Sequence, residues 1–351
     1  MSSGDSSGRA MNFPTILKWM GYGTAILSFV AGVSGVVKVV SDRAEARRQV
    51  ESLLASEQIQ LDGHDYAAAW QTLERAAKVD AGSVRVQKAQ EDLAMAWLEN
   101  IRAEGDQRFS DITEKVDPVL TRGITAAKMP ARRADLMAHL GWSYFLRSRE
   151  GAGGLDPAAS YADAVRNDPN NPYAEAMWGH WILWNNGDAI AEAERHFSNA
   201  LASNRQRSFV RGMQISALLN RHDDATEEEV VRVADDIRKE GGSISPDVKR
   251  RIFSMYYGKL IPPDQKTADF VRAVPPAEHL ATFRWLFDSL ELPDSESMLR
   301  QGYLSILEEA GGQVDEARKG YDALRKKLAG QPGSLLTAAE TGSRRLGATG
   351  R

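Results

Sequence analysis

Histidines, carboxylates and nucleophiles are where chemistry would start, and in this 351-residue chain they do not gather. His64, His139, His180, His196, His222 and His279 stand singly, and no HExxH pair is present to hold zinc. There is no P-loop, no GxGxxG turn and no GxSxG elbow, so neither a phosphate cradle nor an activated serine is offered. Without cysteine there is no thiolate nucleophile, thiolate metal site or disulfide, and nothing points to a redox compartment. The densest acidic group, His222, Asp223, Asp224, Glu227, Glu228 and Glu229, could be drawn as a metal site. A local explanation is simpler: Thr226 followed by Glu229 reads as a capping box, and carboxylates in a first turn are favoured by the helix dipole. The expectation is a chain with no catalytic residue, no metal and no cofactor, and not an enzyme. Arg318, Lys319, Arg325, Lys326 and Lys327 fall in one late helix, where cations complement its negative end. With a net charge of −4, no nucleic-acid partner is expected.

If the chain does no chemistry, its elements must account for its role. From Trp19 to Val37 nineteen residues run without a charge between Lys18 and Lys38. As a helix with about 1.5 Å rise per residue the run covers roughly 28 Å, close to the roughly 30 Å hydrocarbon core of a bilayer. Trp19 and Tyr22 sit where an interfacial belt places aromatics. A signal peptide's apolar stretch is shorter and ends in a small-residue cleavage pattern that this sequence lacks. The pattern predicts a single transmembrane helix within residues 16–40, in contact with the lipid bilayer and preceded by a flexible tail at 1–15. Lys38, Arg43, Arg47 and Arg48 follow the span while Arg9 and Lys18 precede it, which favours a cytoplasmic soluble domain. Export of everything after residue 40 is the alternative. Ser28 with Gly32, and Ala31 with Gly35, satisfy the small-xxx-small spacing that lets membrane helices approach, which offers a homodimer through this helix.

Beyond the anchor the sequence repeats. AHLGWSYFL (residues 138–146) and AMWGHWILW (176–184) align on Gly141 and Gly179, thirty-eight residues apart. Each glycine is followed by a second segment with an aromatic and a small residue three apart, Tyr161 with Ala164 and Phe197 with Ala200. A third unit begins near Gly212 and continues to Val231 and Ala234. Asn171-Pro172 and Ser245-Pro246 look like N-caps followed by proline at the first helical position, and Asn185-Asn186-Gly187-Asp188 like a turn inside a hairpin. No strand-like alternation is sustained, so the soluble part reads as all helix.

Ala193, Phe197 and Ala200 match the small-x3-aromatic-x2-small run of the second helix in tetratricopeptide repeats. Ala69, Leu73 and Ala76 match it with leucine for the aromatic, and Ala317, Tyr321 and Leu324 match it near the far end. The chain thus resembles the tetratricopeptide-repeat family. That resemblance implies an α-solenoid of stacked helical hairpins whose first helices line a concave surface. Carried onto this sequence, the exposed first-helix positions are Trp142, Phe145, Tyr173, His180, Trp184 and Met213, an aromatic groove suited to an apolar or amphipathic peptide. The alternative is that these rings pack between hairpins; Trp178 and Trp181 are assigned to the core. The lysine and asparagine clamp by which some members of the family grip chaperone C-termini is not visible at these positions, which disfavours that ligand.

The expected organisation is a tail at 1–15, a transmembrane helix at 16–40, membrane-proximal helices with one hairpin at 41–110, and a linker at 111–130. Central repeats follow at 131–242, then a helical region ending in a hairpin at 243–328 and a flexible tail at 329–351. The expected role is a membrane-tethered scaffold that binds protein or peptide partners. A chaperone-like factor on the exported side, or a regulatory subunit of an enzyme complex, are the alternatives.

Overall fold

The computed structural model describes residues 41–101, 108–221, 224–260, 280–288, 290 and 292–348, and the regular elements among them are all helices. The expected tail at 1–15 and membrane helix at 16–40 lie outside the described residues. Among those described, no helix is long and apolar enough to cross a membrane. The chain divides into two compact units, Met1–Gly105 and Asp106–Arg351.

In the first unit, α1 over residues 41–62 leads into α2 (Tyr66–Val79) and α3 (Val84–Glu99). The Asp65 carboxylate accepts from the Ala68 amide at 3.0 Å and starts α2; Ser83 does the same for α3 through Val86. Ala69, Leu73 and Ala76 of α2 are fully buried, as the repeat pattern requires. Thr72 donates to Gln60 at 2.9 Å, tying α2 to α1, and Trp70 and Trp97 tilt together at 5.9 Å between ring centres.

The second unit begins with α4 (Phe109–Ala126), α5 (Pro130–Ser148), α6 (Pro157–Asn167), α7 (Pro172–Asn185) and α8 (Ile190–Ala202). It continues through α9 (Arg207–Leu219), α10 (Asp224–Lys239), α11 (Pro246–Leu260) and α12 (Leu280–Asp288) to α13 (Asp294–Ala310), α14 (Val314–Lys327) and α15 (Ser334–Ala348). α5 with α6, α7 with α8, and α13 with α14 form close antiparallel pairs. The glycines explain two of them: a Cβ on Gly141 would stand 2.8 Å from the Tyr161 ring, and one on Gly179 would stand 3.1 Å from the Ala193 carbonyl and 3.2 Å from the Phe197 ring. Each fully buried ring filling such a gap contributes about 1.5–3 kcal/mol of apolar burial. Asn171 accepts from the Ala174 amide at 2.9 Å with Pro172 at the first helical position, and Ser245 accepts from Val248 ahead of Pro246, so both expected caps form. Repeated helix pairs held by small-to-aromatic contacts are the all-helical hairpin repeat that the spacing predicted.

Four expectations are corrected. The linker at 111–130 is α4, whose apolar residues Ile112, Val116, Val119 and Leu120 recur at helical spacing and are buried. The interior Pro118 is tolerated because α4 is held to α5 through Asp117, which accepts from Ser143 and pairs with Arg147 at 3.3 Å. Burial raises the Asp117 carboxyl above its ordinary range, against the lowering influence of Ser143 and Arg147. The tail at 329–351 is α15 over most of its length: Ala339 and Leu346 are buried, Gly342 lets the Tyr321 ring approach, and Arg345 grips Glu309, the acceptor of the Tyr321 hydroxyl at 2.8 Å. In the third unit Gly212 is exposed with nothing within 4 Å of a would-be Cβ, although Val231 and Ala234 are buried as expected. Here α10 pairs with α9 partly through charge, Arg211 reaching Asp236 at 3.1 Å and Glu240 at 2.9 Å. Finally, α10 begins at Asp224, which puts Thr226 inside it rather than at the cap, and Glu229 pairs with Arg232.

Candidate functional site

The first helices of the pairs, α5, α7 and α9, pack side by side with α7 in the middle. α7 is apolar around its whole circumference, PYAEAMWGHWILWN, because α5, α6, α8 and α9 enclose it. That enclosure decides the fate of the expected groove. Trp142, Phe145 and His180 are sealed at 8%, 1% and 4% exposure, so the reading that displayed them on an open surface is corrected. They form a ladder between α5 and α7: Trp142 to Phe145 at 4.9 Å, Trp142 edge-on to His180 at 5.1 Å, and Phe145 to His180 at 5.6 Å. Tyr173 is half-buried, its ring 4.6 Å from His139 and 5.0 Å from Phe209, and Met213 is half-buried against the core. Trp178 and Trp181 are half-buried against the same core.

Trp184 differs. It closes the ladder at 5.7 Å from Phe145, yet it remains 44% exposed at the C-terminal end of α7. Beyond it opens a cleft of about 730 Å³, bounded by Leu219 and Asn220 at the end of α9 and by Arg250, Arg251, Ser254 and Met255 of α11. Local sequence places these side chains. Ile252 and Phe253 are buried, Phe253 meeting Phe287 edge-on at 5.3 Å, so the residues on either side of them are turned to the outer face of α11. Arg251 donates to the Asn220 side chain at 3.1 Å and fastens α11 to the end of α9.

From the α5 side comes Arg149, one residue past the helix end. Its guanidinium lies 4.4 Å from the Trp184 ring centre, 5.2 Å from Phe109 and 5.9 Å from Phe145. Glu150 holds this corner: although burial opposes it, the amides of Ser110 and Phe109 stabilise its carboxylate and draw its pKa below the ordinary value. The same contacts cap the N-terminus of α4, so the start of α4 and the end of α5 are one fixed joint. Behind the ladder, burial and then the positive charges of Arg149 and Arg251 push the His180 imidazole down to about 3. It is therefore neutral at physiological pH, and its Nδ1 has no hydrogen-bond partner. Desolvation lowers the basicity of both Arg149 and Arg251.

Among the described residues no group of histidine, aspartate and glutamate could hold a metal ion; His222 and Asp223 lie outside them. The buried pair of Glu175 and His196, 2.5 Å apart, is closed over by the Trp178 ring 4.6 Å from His196 and by Asn199 donating to Glu175 at 3.3 Å, an internal polar contact with no opening to a substrate. Arg149, Leu219, Asn220, Arg250, Arg251 and Met255 were not anticipated from sequence. A signal existed for two: Lys249-Arg250-Arg251 directly precedes the apolar Ile252-Phe253, the mark of a basic edge on a buried helix.

No family model matches the chain, and no curated protein matches it. Among solved structures it is similar to the crystal structure of a tetratricopeptide repeat protein from Parabacteroides merdae ATCC 43184, which covers 84% of this chain and 99% of that one, with 10% identical residues and a TM-score of 0.38.

Proposed function

We propose that this chain is a membrane-tethered adaptor that captures a polypeptide segment in the cleft between α7, α9 and α11 and so holds a partner protein at the bilayer. The observation that carries the reading is Trp184. Among the described side chains it is the one tryptophan, tyrosine or phenylalanine left exposed, and it stands at the mouth of a cavity rather than alone on a convex surface. Exposed indole beside cationic side chains in a preformed cleft is the composition of a binding hot spot, and the volume is within the range of small recognition sites. The uncharged run at Trp19–Val37 supports the tether, and the excess of basic residues after it supports a cytoplasmic side for the repeats.

The test uses the full chain in its own membranes with a photoreactive amino acid at position 254, an exposed cleft-lining serine that leaves Trp184 in place, and the same probe at Met129, which is 68% exposed between α4 and α5, as control. Discrete polypeptide adducts at 254 that are missing at 129 support capture in the cleft; identical patterns at both positions refute it. Release of the chain by alkaline washing sinks the tether. Digestion of the repeats only from the exported face of sealed vesicles sinks the cytoplasmic assignment.

A further inference from the structure

Capture at the cleft depends on how the Trp184 ring is presented, and α7 alone does not fix that. Trp184 is the last residue but one of the helix and remains 44% exposed, so its own helix leaves the indole free to turn about its side-chain bonds. What lies against the ring comes from the end of α5. Phe145 meets it edge-on at 5.7 Å, and the Arg149 guanidinium lies over it, 4.4 Å from the ring centre. The same guanidinium is 5.2 Å from the Phe109 ring and 5.9 Å from that of Phe145, so one cation joins aromatic side chains of α4, α5 and α7. A guanidinium suits this place because it is flat, delocalised and weakly hydrated, and stacks on ring faces. The backbone beneath Arg149 is fixed on both sides. Gly151, at φ +85°, closes α5: its amide donates to the Ser148 carbonyl at 3.0 Å and that of Ala152 to Arg147 at 3.2 Å, the paired bonds of a Schellman stop. The Glu150 carboxylate accepts from the Phe109 and Ser110 amides and ties the residue after Arg149 to the start of α4. Arg149 thus reaches from rigid backbone onto a ring whose own helix is ending.

We propose that Arg149 is a positioning residue of the cleft: from outside it, and without touching the partner, its guanidinium holds the Trp184 indole in the orientation that the captured segment meets. The inference rests on the capture reading above and adds the residue that presets its central side chain. With Arg149 over the ring and Phe145 against it, the indole offers its remaining surface in one orientation, and the partner need not order it on binding. A cation on an aromatic face at an exposed site corresponds to about a twofold to fivefold change in affinity. That scale leaves the fold standing when Arg149 is changed and is large enough to read in capture. A purely structural role for Arg149, joining α4 to α5 and α7, makes the opposite prediction: stability would respond, and the Trp184 ring would follow it with the rest of the core.

The test labels the full chain with fluorotryptophan and reads fluorine NMR in detergent; of the eight tryptophan signals, that of Trp184 is the one missing from Trp184→Phe. In Arg149→Met, which keeps an unbranched apolar stem without the charge, the Trp184 signal is expected to sharpen and to move towards that of free fluorotryptophan, while the other signals stay in place. Arg149→Lys, which returns a cation, is expected to recover part of the parent signal. With the photoreactive residue at position 254, the adduct yield in membranes should fall about threefold in Arg149→Met and less in Arg149→Lys, with urea midpoints like the parent's. An unmoved Trp184 signal in Arg149→Met overturns the proposal, as does a moved signal with full adduct yield. A displacement of all signals with lowered urea midpoints in both variants overturns it too, since Arg149 would then serve the fold. Missing adducts at 254 in the parent, with the Trp184 signal moving as expected, are instead the failure of the capture reading beneath it.

Discussion

Gly141→Ala and Gly212→Ala are one chemical change at two glycines that the repeat pattern equates, and the structure requires them to have opposite signs. Replacing glycine by alanine inside a helix gains about 0.5–1 kcal/mol, because the unfolded chain loses freedom and the helix gains propensity. At Gly212 nothing lies within 4 Å of the new methyl and the residue is exposed, so the gain should appear undiminished. At Gly141 the methyl would sit 2.8 Å and 3.0 Å from two atoms of the Tyr161 ring and 3.0 Å from Ser160 Cβ. Tyr161 is fully buried and its hydroxyl is enclosed, so the ring has nowhere to retreat and α5 and α6 must separate. Overpacking of this kind costs about 1–3 kcal/mol, which leaves a net loss of up to about 2.5 kcal/mol after the helix gain. The helix gain is common to both and cancels, so the two variants should differ by roughly 1–3 kcal/mol, the overpacking cost itself. Urea unfolding followed at 222 nm reads this as midpoints displaced in opposite directions from the parent. The account of the hairpins fails if Gly212→Ala destabilises as much as Gly141→Ala, or if Gly141→Ala is neutral.

The ladder and the cleft mouth should separate in the same way: Trp142→Ala should cost about 3–5 kcal/mol as a cavity in the core, while Trp184→Ala should cost little stability and abolish capture at the cleft. Thermal melts beside the crosslinking yield report both, and equal stability losses would contradict the burial of one ring and the exposure of the other. His180 should make the fold acid-sensitive. Its folded pKa, near 3, lies below the unfolded value of about 6.5, so the unfolded chain takes the proton first and stability is lost as pH falls, at about 1.4 kcal/mol per pH unit between those values. Between pH 6.5 and 5 the parent should lose about 2 kcal/mol more than His180→Leu, measured as the difference between their urea midpoints; parallel profiles would refute it.

Sequence alone determined the secondary structure class, the hairpin repeat and much of its register. Spacing decides these quantities, and the small-to-aromatic pairs that mark the spacing, Gly141 with Tyr161 and Gly179 with Phe197, are short-range enough to read along the chain. Asn171-Pro172 and Ser245-Pro246 announced their helix starts for the same reason, since a cap is made within four residues. α4 and α15 went unread because their letters argue against helix: Pro118 and Gly123 in one, glycine and serine around the other. Their stability comes from contacts far along the chain, Asp117 with Ser143 and Arg147, and Glu309 with Arg345. Which aromatics face the interior was likewise a tertiary matter. A helical period says which residues share a face, and α7 has no polar face to mark the outside, so only the neighbours on every side, Trp142 and Phe145 of α5 among them, decide that His180 is enclosed and Trp184 is not. The cleft itself joins residues from the ends of α7 and α9 to the outer face of α11. Side chains as far apart in the chain as Trp184 and Met255 leave no trace of their meeting in local spacing, because the chain between them carries the turns that make them neighbours.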